Sequence, residues 1–113
     1  MRKDLIDVAI KSSQNTFENS FKLNNDKYSL LMEIYNFLRD LIDEEGGGFK
    51  EFEVSPERPL SYITAEVDTI DLYRTYLQDF IKLSESISQF KVTNSGKDSV
   101  FVTIGIKGLW EEV

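Results

Sequence analysis

Between Asp68 and Ser88 a series of Ile70, Tyr73, Leu77, Phe80, Ser84 and Ile87 recurs at three- and four-residue steps, while Asp71, Arg74, Gln78, Lys82 and Glu85 fall on the opposite side. This spacing predicts an amphipathic helix. Asp68 stands where its carboxylate can cap the free amides of the first turn, and Val67 and Leu72 bracket it at the spacing of a hydrophobic staple. Leu77 and Phe80 are expected to pack against Val102 and Ile104.

Upstream, Ile6, Ile10, Phe17 and Phe21 predict a helix over Lys3 to Phe21, diluted by polar residues from Ser12 to Thr16. Asn24, Asn25 and Asp26 supply turn and cap chemistry for a second helix from about Lys27 to Glu45. Its stripe of Leu30, Leu31, Ile34, Phe37, Leu38, Leu41 and Ile42, flanked by Tyr28, Met32 and Tyr35, is wide enough to meet more than one neighbour. Gly46, Gly47 and Gly48 end it.

Alternation then changes to a period of two. Phe49 to Val54 is expected to set Phe52 and Val54 against Glu51 and Glu53, and Leu60 to Val67 to turn Ile63, Ala65 and Val67 inward. Pro56 and Pro59 make the segment between them a loop. Phe90 to Thr93 and Val100 to Ile106 form two more strands around the turn Asn94 to Asp98. Val100, Val102, Ile104 and Ile106 share one face, and Phe101, Thr103 and Gly105 the other, the pattern of a central strand. Leu109 and Trp110 are expected to dock as a tail. The order α-α-β-β-α-β-β predicts one α+β domain over residues 1–113, with a four-stranded, mainly antiparallel sheet and helices on one face. The periodicity leaves the strand order open.

With 113 residues and 41% hydrophobic content the chain suits a single self-sufficient core. It has neither cysteine nor histidine, which removes disulfides, thiolate metal sites, the usual general base near neutral pH and the Ser-His and Cys-His nucleophile pairs. No apolar run is long enough to span a bilayer, and Met1-Arg2-Lys3-Asp4 does not open a signal peptide, so a cytoplasmic setting is expected. Thirteen basic against twenty acidic residues give a net charge of −7, which disfavours nucleic acid and anionic membranes as direct partners.

Specific chemistry finds little support. Ser95-Gly96-Lys97-Asp98 lacks the earlier glycine, the following Ser or Thr and the strand-to-helix setting of a phosphate-binding loop. Glu66 and Asp68 form a weak acid-base pair, since Asp68 is already the helix cap. Asp40, Asp43, Glu44 and Glu45 do not have the alternating spacing of a calcium loop. No metal, cofactor or catalytic residue is expected. The five tyrosines and eight phenylalanines read as core residues, because they are not interleaved with Lys and Arg as nucleic-acid stacking demands.

One region breaks a local rule. Asp40, Asp43, Glu44, Glu45, Glu51, Glu53 and Glu57 crowd into one window with Lys50 as its single cation. Asp43, Glu44 and Glu45 are expected in the last turn of the second helix, where the macrodipole opposes each carboxylate by about 0.3–1 kcal/mol. The seven acids are the candidate contacts for a basic protein partner, whose Lys/Arg-rich groove would ordinarily hold nucleic acid. The expected function is a non-enzymatic inhibitor or mask of that partner. In this general way the composition resembles anti-CRISPR proteins of mobile elements and the immunity proteins of nuclease toxins, with no motif tying the chain to either. The rival expectation is a small assembly subunit, such as a phage component, forming a homodimer or larger assembly through its sheet edge or second helix.

Overall fold

The computed structural model describes residues 3–42, 48–70, 72, 85–96 and 98–113. Helix α1 (Lys3–Thr16) buries Ile6 and Ile10 completely or nearly so, and runs through the polar stretch to end at Thr16 rather than reaching Phe21. There the chain turns, with the Ser20 and Phe21 amides both donating to the Phe17 carbonyl, and Phe21 opens strand β1 (Phe21–Leu23). Ser12, Ser13, Asn15 and Thr16, all of weak helix propensity, fill the last turns of α1, and the helix ends with them. The Asn24 side chain caps α2 (Asn25–Leu41) by accepting from the Lys27 amide at 2.9 Å. Leu31, Ile34 and Leu38 on α2 are fully buried, as are Ile63, Ala65, Val67, Val102, Ile104 and Ile106 of the sheet below them.

Helix α2 also ends earlier than its sequence suggests. Ile42 is extended (φ −73°, ψ 127°) and its amide bonds back to the Arg39 carbonyl, so the last turn carries Arg39, which suits the negative helix end, together with Asp40. The run of carboxylates expected inside that turn is therefore not part of the described helix. Asp43, Glu44 and Glu45 lie outside the described residues.

Strands β2 (Gly48–Glu53), β3 (Ser61–Asp68), β4 (Gln89–Asn94) and β5 (Ser99–Ile106) form an antiparallel sheet in the order β2-β3-β5-β4. The α+β class and the four-stranded sheet agree with the sequence pattern. Strands β3 and β4 flank β5 and each runs antiparallel to it, so they are parallel to one another and joined by a crossover. Ile63, Ala65, Val67, Val102, Ile104 and Ile106 make the fully buried face, and they belong to the same cluster as Ile6, Ile10 and the buried residues of α2. Tyr35 of α2 stacks on Phe49 of β2 with ring centroids 4.7 Å apart, tying helix to sheet edge.

Where the crossover begins, the Asp68 carboxylate accepts from the Ile70 amide at 2.9 Å, the capping role expected of it. Val67 and Leu72 are both buried in the core, whereas Ile70 is 61% exposed. Ile70 is thus not on the buried side. Leu72 lies about 200° around a helix from Ile70, and the inward position of Val67 before the cap sets that phase. Ile87, at the far end, packs half-buried on the core. Tyr73, Leu77, Phe80 and Ser84 lie outside the described residues.

Two short strands add to the expected order. β1 pairs antiparallel with β6 (Trp110–Glu112), Phe21 opposite Glu112 and Leu23 opposite Trp110. Gly108, at φ 80°, makes the turn that leads Leu109 into the core, and the Trp110 indole donates to the Val54 carbonyl at 2.7 Å. The tail is docked. No helix among the described residues is long and apolar enough to cross a membrane.

Candidate partner-binding face

Helices α1 and α2 lie on one side of the sheet, so the outward positions of each strand form a second face that no other described element covers. Strand alternation and cross-strand register arrange them in three rows. The middle row runs Lys91, Thr103, Thr64, Glu51 from β4 to β2. To one side lie Thr93, Phe101 and Glu66, and to the other Gln89, Gly105, Tyr62 and Glu53. Thr64 and Thr103 share a hydroxyl hydrogen bond of 2.8 Å at the centre, with Thr64 only 7% exposed. The Gln89 side chain lies over Gly105, where an added Cβ would come within 3.1 Å of its amide oxygen.

Each carboxylate is held differently. Glu53 accepts from the Ser55 amide at 2.9 Å, and Glu66 is 3.6 Å from the Lys50 ammonium and 3.4 Å from the Ser99 hydroxyl. Glu51 is exposed between them and has no partner among the described residues. Lys50 occupies a register irregularity between Phe49 and Glu51, the extra residue of a β-bulge. Arg58 and Lys91 stand towards the margins. Two shallow, open depressions follow the face, one of about 330 Å³ around Thr64, Thr103, Phe101 and Lys91, the other of about 360 Å³ between Tyr62, Gln89 and Arg58.

The candidate acids divide accordingly. Glu51 and Glu53 share the open face. Asp40 is exposed in the helical layer, 4.0 Å from Arg39, and Glu57 is exposed in the β2–β3 loop, its amide bonded to Ser55. Glu66 joins Glu51 and Glu53 although it was paired in the sequence only with Asp68. Its alternation with Ala65 and Val67 signals an outward side chain, but only the β2–β3 register makes it a neighbour of Lys50. The aromatic rings vary in burial: Tyr35 is buried, while Tyr28, Tyr62 and Phe101 are half-buried.

Among the described residues no group of three or more Asp, Glu, His or Cys side chains is arranged to hold a metal ion, and no buried side-chain nitrogen or oxygen lacks a partner. Among the described residues, the one strongly shifted group lies in the helical layer. Tyr28 donates to Asp7 at 2.5 Å, and that bond, with burial and the nearby negative charge, pushes its phenol up to about 12. No protein-family model matches the chain, and no curated protein or solved structure is significantly similar to it.

Proposed function

We propose that the protein is a non-enzymatic binder that covers a Lys/Arg-rich surface of another protein and so keeps nucleic acid from it. The observation that carries this reading is the exposed Glu51 on the uncovered sheet face, without a partner among the described residues and flanked by Glu53 and Glu66. Successive same-face residues on a strand stand about 6.7 Å apart, so Glu51 and Glu53 offer evenly spaced acceptors that cationic side chains can meet singly. Each exposed pair adds only about 0.2–1 kcal/mol. Affinity therefore depends on several pairs together, with Asp40, Asp43, Glu44, Glu45 and Glu57 as further candidate contacts, and on apolar area from Tyr62 and Phe101. Charge supplies encounter rate and selectivity.

The test is capture from a native lysate by the immobilised protein, in parallel with a Glu51→Lys/Glu53→Lys variant. The expected outcome is a nucleic-acid-binding protein retained at low salt, released at high salt or by added nucleic acid, and not retained by the variant. A partner retained equally by the variant, or indifferent to competing nucleic acid, would overturn the reading.

A further inference from the structure

The open face is not acidic throughout. Its middle row runs from Lys91 on β4 through Thr103 and Thr64 to Glu51 on β2, and the two ends of the row carry opposite charge. Lys91 is exposed and, like Glu51, has no charged partner among the described residues. Lys50, the other cation beside the row, is already engaged by Glu66 at 3.6 Å. Neighbouring strands stand about 4.8 Å apart, so three steps across the sheet separate Lys91 from Glu51 by roughly 14 Å at the backbone.

Between the two charges lies the depression of about 330 Å³, lined by Thr64, Thr103, Phe101 and Lys91. The 2.8 Å bond between the threonine hydroxyls uses one of their two hydrogens, because whichever threonine donates, the other only accepts in it. The second hydrogen has no acceptor among the described residues. The depression therefore offers a hydroxyl donor next to the Lys91 ammonium, and the two together suit an acceptor that carries negative charge. A surface that is cationic throughout would meet Glu51 and Glu53 well but would set like charge against Lys91, which disfavours the complex.

We propose that the partner's surface is bipolar: its Lys or Arg side chains lie over Glu51 and Glu53, and an Asp or Glu of the same partner enters the depression beside Lys91, accepting from the threonine hydroxyl and from the ammonium. This rests on the reading of the face as one that covers a basic protein, and it adds an orientation to that reading. The β2 side sits on the cationic part of the partner, and the β4 side on a carboxylate at the other end of the row. Turned by half a revolution on the same surface, the protein would oppose like charges at both ends. The face thus selects one orientation, and it rejects a patch that is basic from edge to edge by the charge on Lys91.

The test uses the protein that the wild type retains from the native lysate and that nucleic acid releases, purified once mass spectrometry has identified it. Its Kd is measured at low salt for the wild type, Lys91→Gln, Lys91→Glu and Glu51→Lys, each full-length and checked for an unchanged melting curve. Lys91→Gln removes one exposed pair and should weaken binding about two- to fivefold. Lys91→Glu sets two carboxylates against each other and should weaken it further, by about tenfold. Glu51→Lys should weaken it as well. If Glu51→Lys weakens binding while Lys91→Glu binds as tightly as the wild type or more tightly, the bipolar surface is overturned and the basic-partner reading stands. If Glu51→Lys has no effect, or the lysate yields no such protein, the basic-partner reading fails and this inference fails with it.

Discussion

The β2 and β4 edges flank the same two central strands, yet they are defended differently against further pairing: by a bulge with Lys50, Glu51 and Glu53 on β2, and by Lys91 alone on β4. The β2 bulge places Lys50 out of register, and Glu51 and Glu53 follow at alternate positions. On β4 the corresponding positions of the open face are Thr93, Lys91 and Gln89. Edge protection is a sufficient structural reason for charge on β2, but it does not require two carboxylates on the uncovered face, one of them with no partner among the described residues. The contrast teaches that charge on this sheet divides by sign: the acids gather on and beside β2, with Glu66 of the central β3 next to Lys50, whereas the β4 edge carries one cation.

Both edges depend on β5 and β3 between them, so the largest effect is expected at the centre. Ile104 is fully buried on β5, opposite Ile63 and Phe90. Ile104→Ala should cost about 2–5 kcal/mol through lost burial and the cavity left behind. Urea unfolding measures it, and a cost below about 1 kcal/mol would mean that β5 is not the common support of the two edges.

A smaller effect tests how the halves of the open face are joined. Thr64 and Thr103 share one hydrogen bond between the β2 side and the β4 side. Thr64→Val leaves the Thr103 hydroxyl without that partner and should cost about 1 kcal/mol, with Thr64→Val/Thr103→Val nearer to wild type. A double-mutant cycle gives the coupling. Additive costs would show that the two hydroxyls do not depend on one another.

The Tyr28–Asp7 bond is remote from both edges and provides a control. Its neutral phenol is the form that donates, and folding raises the phenol from its ordinary value of 10.0 to about 12. The stabilisation is therefore fully present below pH 10 and is lost as pH rises through 12. Tyr28→Phe should cost about 1 kcal/mol at neutral pH, limited by solvent at a half-buried site, and should flatten the loss of stability across that alkaline window. Partner capture at neutral pH should not change with it.

The strands were the most legible part of the sequence, because half-buried sheets impose a strict alternation. Val100, Val102, Ile104 and Ile106 marked β5 as central, and the structure buries all four. Strand order and register were not legible, since they depend on pairing partners distant in the chain. For the same reason β1 and β6 went unseen: three residues of alternation carry no signal until residues 21–23 meet residues 110–112. Helix phase failed at Ile70, where counting periods competed with the staple from Val67 to Leu72. Both helix ends came earlier than the periodicity suggests: α1 closed with its polar run at Thr16, short of Phe21, and α2 stopped at Leu41, before the acidic sequence. In the candidate site, charge density and the shared face of Glu51 and Glu53 were visible in the sequence, whereas the place of Glu66 beside them required the β2–β3 register.

The smallest effect on stability is expected to give the sharpest reading of the β2 edge. Glu51→Gln/Glu53→Gln removes two charges and little volume. A glutamine in place of Glu53 keeps a side-chain oxygen able to accept from the Ser55 amide, and Glu51 has no partner among the described residues to lose. Stability should therefore shift by no more than about 0.5 kcal/mol. An edge guarded by a bulge and Lys50 should also remain unpaired, so the variant should not aggregate. If the carboxylates serve recognition, binding of a basic partner at low salt should fall markedly while thermal unfolding stays in place. An unfolding midpoint lowered by many degrees would instead make the two acids part of a structural network. Unchanged partner binding beside new aggregation would reduce them to edge guards, and the contrast between β2 and β4 would then concern edge protection alone.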